Sequence, residues 1–159
     1  MGTGFFDQVR RCYAENRTGL FTYALSLTRN RAAAEDAVHA AVCRLLEKGT
    51  LPGDVRPYLY RAVRNAAVDG WRRTGSREEP LFDLDRPDGA DGDRRDQWLQ
   101  LQQCLYRLDG DQREVIVLKT WQGLTFREIG EVRGQSTNTA ASLYRRGLAR
   151  MKSMLEEDA

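Results

Sequence analysis

The chain is predicted to be all-α, two small helical domains joined by a flexible acidic linker. Apolar residues recur at helical spacing through 5–73 and again through 97–155, and no segment alternates as a strand would. Between these stretches lies PLFDLDRPDGADGD, rich in Pro, Gly and Asp and poor in large apolar groups, a composition that cannot bury enough surface to fold. Near the C-terminus, Leu124–Lys152 reads as two short helices joined by a tight turn. A length of 159 residues suits two such domains, each with a modest core. The boundaries read as 1–75, a linker over 76–96, and 97–159.

In the first block, one helix carries Phe5, Phe6, Val9, Cys12 and Tyr13, and a second carries Leu20, Phe21, Ala24, Leu25 and Leu27. Asn30 is placed to cap a third, with Glu35 and Asp36 near its positive end. Val38, Val42 and Leu45 repeat along one side of it, and Gly49 supplies the stop. Pro57 belongs to the first turn of a fourth helix, on which Leu59, Val63, Ala66 and Gly70 share a face.

That fourth helix is basic and aromatic. Arg56, Arg61, Arg64, Arg72, Arg73 and Arg77 are opposed only by Asp69 before Glu78, with Tyr58, Tyr60 and Trp71 interleaved. Arginines tracking phosphates and rings stacking on bases suit single-stranded or melted DNA. An equally weighted reading makes the rings core and the arginines a solvated face.

The linker's Leu81, Phe82 and Leu84 are its apolar exception and are candidates for docking elsewhere. Beyond it, Trp98, Leu101, Cys104, Leu105 and Leu108 form an amphipathic helix. Asp111 and Glu114 have capping-box spacing and open a helix with Val115, Ile116, Leu118 and Trp121, ended by Gly123. A true box, Thr125 and Glu128, starts the next helix, whose buried side is Ile129 and Val132. Gly134 permits the turn, and Ser136, Thr137 and Asn138 offer caps for the last helix, with Ala140, Leu143, Tyr144, Leu148 and Met151 at helical spacing. This is a helix-turn-helix pattern, whose second helix enters the DNA major groove; the bland alternative is a helical hairpin in a bundle. Arg145, Arg146, Arg150 and Lys152 follow with no acid between Ser136 and Leu155, a surface suited to phosphate.

The totals exclude several classes. Net charge is +2, so charge placement matters more than its sum. Three widely spaced cysteines, Cys12, Cys43 and Cys104, argue against a disulfide framework and for the cytoplasm. No run approaches a membrane span, and no membrane or small-molecule partner is expected. His39 and Cys43 stand at i, i+4, but two ligands do not make a metal site; no metal and no cofactor is expected. With one His and no phosphate loop, the chain does not read as an enzyme.

Taken together, the motifs resemble the extracytoplasmic-function group of bacterial sigma-70 factors, which keep the second and fourth sigma regions joined by a linker. AEDAVHAAVCRLLEK (Ala34–Lys48) resembles region 2.2, the helix that binds core RNA polymerase. RPYLYRAVRNAAVDGWRR (Arg56–Arg73) resembles regions 2.3 and 2.4, which melt and read the −10 element. Leu108–Lys152 resembles region 4, which binds the −35 element. The resemblance assigns core-polymerase binding to Asp36, His39 and Arg44. It assigns −10 DNA to Arg56, Tyr60, Arg61, Arg64, Asn65, Arg72 and Arg73, and −35 DNA to Thr137, Asn138, Ser142, Arg145 and Arg146. Asp83, Asp85, Asp88, Asp91 and Asp93 of the linker would mimic nucleic-acid charge in a basic polymerase channel, and an anti-sigma factor is an expected partner.

The chain departs from the family pattern in two places. His39, Ala40 and Val42 replace the usual Gln-Glu-aromatic of region 2.2, and Ala141, Ser142 and Leu143 replace a common Lys-Ser-Arg of the recognition helix. The expected function is an alternative sigma factor that binds core polymerase, recognises both promoter elements and promotes melting. The cations missing at Ala141 and Leu143 support one alternative, a degenerate sigma-like adaptor that reads no promoter. A conventional helix-turn-helix operator-binding regulator is the other.

Overall fold

The computed structural model describes residues 2–51, 53–74 and 92–158, with side chains described from residue 4 onward except for 71–95. Helix α1 (Gly2–Thr28), α2 (Arg31–Lys48) and α3 (Val55–Thr74) pack against one another as a three-helix block. Helix α4 (Gly92–Arg107), α5 (Gly110–Ile116) with a π-helical turn (Val117–Trp121), α6 (Phe126–Arg133) and α7 (Thr137–Glu157) make the second block. There is no strand among the described residues.

The two helices expected over 5–27 are one. No breaker interrupts the run: Asn16 donates from Nδ2 to the Cys12 carbonyl at 2.9 Å, a back-bond that leaves the backbone helical. Gly19 lies inside the helix, where a Cβ would meet the Gln122 side chain and come 2.8 Å from the Tyr60 hydroxyl. The break comes at Arg29, which takes a positive φ of 52°. Asn30 then caps α2, its side chain accepting from the Ala33 N–H at 2.9 Å, and Gly49 ends it in the left-handed region at φ 73°.

Val9, Leu20, Ala24, Ala41, Leu45, Leu59 and Val63 are buried in the first block. Leu105, Ile116, Leu118, Leu124, Ile129 and Met154 fill the second. Fully burying each side chain of this size is worth about 1.5–3 kcal/mol, so a few suffice to hold each helix in place. Helix α7 lies close over α5, because a Cβ on Gly147 would come within 2.7 Å of Ile116 Cδ1.

Two further readings of the sequence are corrected. Helix α4 begins at Gly92, inside the stretch read as linker. Asp111 and Glu114 do not cap a helix: α5 starts at Gly110 with Asp109 before it and no side-chain cap, so Glu114 sits within the helix and is buried. Their carboxylates bind Arg133 instead. The docking role of Leu81, Phe82 and Leu84 and the charge mimicry of Asp83, Asp85, Asp88, Asp91 and Asp93 fall outside the described side chains.

Candidate nucleic-acid interface

Backbone chemistry fixes the helix-turn-helix. Thr125 accepts from the Glu128 N–H at 3.1 Å while the Thr125 N–H donates to Glu128 Oε1 at 3.0 Å, so the capping box is complete. Gly134 ends α6 at φ 68°, a conformation that Cβ-bearing residues rarely adopt. Ser136 accepts from the Thr139 N–H at 3.1 Å and starts α7. Phe126 packs edge-on against Tyr144, with ring centres 5.3 Å apart, and joins the two helices.

The outer side of α7 is open. Thr137, Asn138, Arg145 and Arg146 are exposed and Ser142 half-buried, so the −35 candidates lie together on one surface. Arg145 Nη2 reaches Ser142 Oγ at 3.4 Å, and Arg146 Nε reaches the Ser142 carbonyl at the same distance. These long intrahelical bonds leave most of each guanidinium's donors outward. Arg150 and Arg107 extend the basic surface around a shallow groove with Gln112.

Helix α3 divides its candidates. Arg61 and Asn65 are exposed, and Arg61 lines a cleft of about 710 Å³ shared with Tyr58, Arg127 and Ser136 of the helix-turn-helix side. Tyr60, expected to stack on bases, is only 1% exposed in this arrangement. Its ring lies 5.7 Å from that of Tyr23, and its hydroxyl is 3.0 Å from Gln122 Oε1 of the second block. Arg56 donates from Nη2 to the Gln122 carbonyl. Arg64 donates from Nε to Glu114 Oε1 at 2.7 Å. Arg72 and Arg73 lie on the last turn of α3, and their side chains fall outside the described residues.

Glu114 is the centre of this junction. One oxygen accepts from the Tyr23 hydroxyl at 2.6 Å and from Arg64, and the other pairs with Arg133 Nη1. The Arg133 side chain is 3% exposed and also reaches Asp111 at 2.8 Å. Burial pushes the Tyr23 and Tyr60 phenols well above their ordinary range, opposed by Arg64 and Arg133 at the first and by Arg56 at the second. Sequence reasoning missed Glu114, Gln122, Arg133, Tyr23 and Gly19. The one available signal was an acid heading the apolar run EVIVL, a position where a carboxylate needs a buried partner.

On α2, Asp36, His39 and Arg44 are exposed; Arg44 reaches Asp69 of α3 at 3.7 Å, a solvated pair of little energetic weight. Cys43 Sγ lies 3.7 Å from His39 Nε2, and no group of three or more metal-ligating side chains gathers among the described residues.

A capped helix-turn-helix with an exposed basic face, beside a three-helix block bearing a basic, aromatic helix, has the make-up of a two-part DNA-binding protein. The profile described as "Sigma-70 region 2" matches residues 12–77, and that described as "Sigma-70, region 4" matches residues 98–151. RNA polymerase sigma factor CarQ of Myxococcus xanthus is 30% identical over 97% of this chain and 92% of its own length. The RNA polymerase sigma-E factor of Streptomyces avermitilis is 30% identical over 77% of this chain and 71% of its own. The fold matches that of the sigma factor RpoE from Bartonella quintana, solved with the anti-sigma factor NepR, at a TM-score of 0.73, with 20% identity, covering 94% of this chain and 98% of that one. The chain belongs to the sigma-70 family, in its extracytoplasmic-function group, and is an alternative sigma factor of transcription initiation. Nothing in the fold or the relatives favours the adaptor or the operator-binding regulator.

Proposed function

We propose that this sigma factor divides its work among three helices. Helix α2 docks on core RNA polymerase through Asp36, His39 and Arg44, all solvent-facing. Helix α7 reads duplex −35 DNA, with Thr137, Asn138 and Ser142 toward base edges and Arg145 and Arg146 on phosphates. Helix α3 holds the melted −10 strand, through Arg61 and Asn65 on its exposed side, through Arg56, Tyr60 and Arg64 once they are released, and through Arg72 and Arg73 at its end. Promoter melting is then driven by binding energy, with bases captured by rings and arginines rather than by any covalent chemistry. An anti-sigma factor and the acidic linker complete the expected set of contacts, and the site of action is the cytoplasm. No helix among the described residues is long and apolar enough to cross a membrane.

The observation that carries this reading is the outward face of α7, capped at Ser136 and carrying every −35 candidate on one surface. The test is run-off transcription with core RNA polymerase on genomic fragments. Promoter-specific transcripts are expected only when the protein is added. Transcripts unaffected by Asn138→Ala and Arg145→Ala together would remove the role given to α7.

A further inference from the structure

Helix α2 presents a chelating pair on its outer side. Cys43 Sγ and His39 Nε2 stand 3.7 Å apart on successive turns, and both residues are exposed. We propose that this pair is one half of a zinc site and that a second copy of the chain supplies the other half. Zn²⁺ then joins two chains through α2, held by two thiolates and two imidazoles. The metal binding and the pairing rest on this geometry alone. Their consequence for transcription rests on the proposed docking role of α2.

Three observations carry the pairing. First, the donor atoms already stand at chelating distance. With Zn–S about 2.3 Å and Zn–N about 2.0–2.1 Å, the sulfur–nitrogen edge of a tetrahedron is about 3.5–3.6 Å. The observed separation lies within about 0.2 Å of that edge, the tolerance a real ligand pair keeps. In the free chain the same spacing suits a weak thiol–imidazole contact. The cation replaces it as the thiol proton passes to solvent.

Second, the pair sits on a fixed support. The Asn30 cap and the Gly49 stop bound α2, and Ala34, Ala37, Val38, Ala41 and Leu45 bury its opposite side. Neither donor has to leave the core in order to bind. Of the three cysteines, Cys12 is half-buried, Cys104 is buried and Cys43 is exposed, and His39 is the chain's one histidine. The accessible thiol and the imidazole therefore meet at a single point of the surface. Sulfur and imidazole nitrogen together match the borderline-soft Zn²⁺ rather than the hard Mg²⁺ or Ca²⁺.

Third, one chain cannot complete the set. No group of three or more metal-ligating side chains gathers among the described residues. Structural zinc takes four ligands. A two-fold axis through the metal turns two ligands into four, because an isologous interface presents the same patch from both copies. The flanking residues also oppose pairing without metal. Glu35 and Glu47 continue the four-residue spacing on either side of His39 and Cys43, and both are exposed. Two such rows face to face repel until a cation lies between them. In the joined pair His39 is a metal ligand, so this face of α2 is closed to polymerase.

The experiment uses the full chain, reduced with a non-chelating phosphine, together with Cys43→Ser and His39→Gln. Analytical ultracentrifugation follows mass as Zn²⁺ is added, Co²⁺ absorption reports coordination, and circular dichroism checks that the variants keep their helices. The wild type is expected to take one metal per two chains and to become a dimer. With Co²⁺ it should show the intense visible bands and sulfur charge transfer of a tetrahedral thiolate site. Mg²⁺ should do neither. Each variant should stay monomeric and lose more than the roughly 10–100-fold in zinc affinity that an outer-shell change costs. Zinc bound one per chain without dimerisation would overturn the shared site. So would dimerisation that survives Cys43→Ser, or an octahedral cobalt spectrum. For the consequence, zinc should weaken wild-type binding to core RNA polymerase by at least about fivefold and leave Cys43→Ser binding unchanged. Zinc-dependent dimers that bind core as well as the monomer does would sink the docking assignment of α2 and leave the metal site standing. Zinc-insensitive monomers that bind core normally would do the reverse.

Discussion

Arg133, the last residue of α6, pairs with Glu114 of α5, and both side chains are less than a tenth exposed. The pair ties the first helix of the helix-turn-helix to the scaffold beneath it. A second carboxylate, Asp111, accepts from Arg133 Nη2 at 2.8 Å, and Gln135 Oε1 accepts from its Nε at 3.1 Å.

Removing one member of such a pair leaves a buried charge without compensation. Arg133→Ala is therefore expected to destabilise the protein by about 3–5 kcal/mol, measured by urea unfolding. Asp111→Ala removes only the exposed partner and should cost under about 1 kcal/mol. Equal costs would contradict the picture of a buried pair with a solvated accessory.

Thr125→Ala removes the hydroxyl that accepts from the Glu128 N–H and leaves the bond from its own backbone N–H to Glu128 Oε1. The expected cost is about 1 kcal/mol of stability. Thr125→Ser keeps the oxygen and should restore nearly all of it, which thermal unfolding would show.

Arg145→Ala and Arg146→Ala should each weaken −35 duplex binding across all sequences and lower the slope of log affinity against log salt by about 1. Asn138→Ala should instead relax preference at one base position, by about 1–3 kcal/mol of discrimination. Competition binding against single-base variants of the promoter distinguishes the two behaviours.

Arg61 is exposed on α3, whereas Arg56, Tyr60 and Arg64 bond to Gln122 and Glu114. Arg61→Ala is expected to reduce open-complex formation, read by permanganate reactivity, more than it reduces duplex binding. The same change in Arg64 is mixed in effect, because it removes a proposed DNA contact and also unties Glu114. A matching loss in both assays for Arg61→Ala would argue against a melting role.

Alkali should open the junction between the blocks. The Tyr23 and Tyr60 phenols are raised by burial above the ordinary value of 10.0. Their stabilising contribution is complete below that ordinary value and is lost as pH climbs toward the raised values. Each should remove about 1.4 kcal/mol per pH unit in that window. Scattering and circular dichroism above pH 10 would show it. The double variant Tyr23→Phe, Tyr60→Phe should be less stable at neutral pH but flatter above 10.

The helical plan was legible because its signals are local. Asn30, Gly49, Thr125 with Glu128, Gly134 and Ser136 each mark a helix end with a specific hydrogen bond or backbone angle, and each does so in the structure. The apolar spacing of Val115, Ile116, Ile129 and Val132 likewise identified a buried side. What failed was non-local. Glu114 carries the spacing of a capping residue, and only the proximity of Tyr23 and Arg64, far away in sequence, shows that it is a buried hub. The candidates on α3 read alike as a basic, aromatic strip, yet packing leaves Arg61 and Asn65 outside and takes Tyr60 in. Continuity of α1 was missed because Asn16 and Gly19 resemble punctuation; one bonds back along the helix and the other makes way for Gln122.

The π-helical turn also sets a phase. One additional residue in a helix rotates everything after it by about 100° relative to everything before. The direction in which the Gln122 side chain leaves α5 is thus set by the turn between Ile116 and Gln122, while Gly123, at φ 67°, starts the separate course of α6 and α7. A chimera that grafts another factor's helix-turn-helix onto this chain would need its crossover after Gly123, so that the turn and the aim of Gln122 stay together. A junction placed inside Val117–Trp121 would separate them.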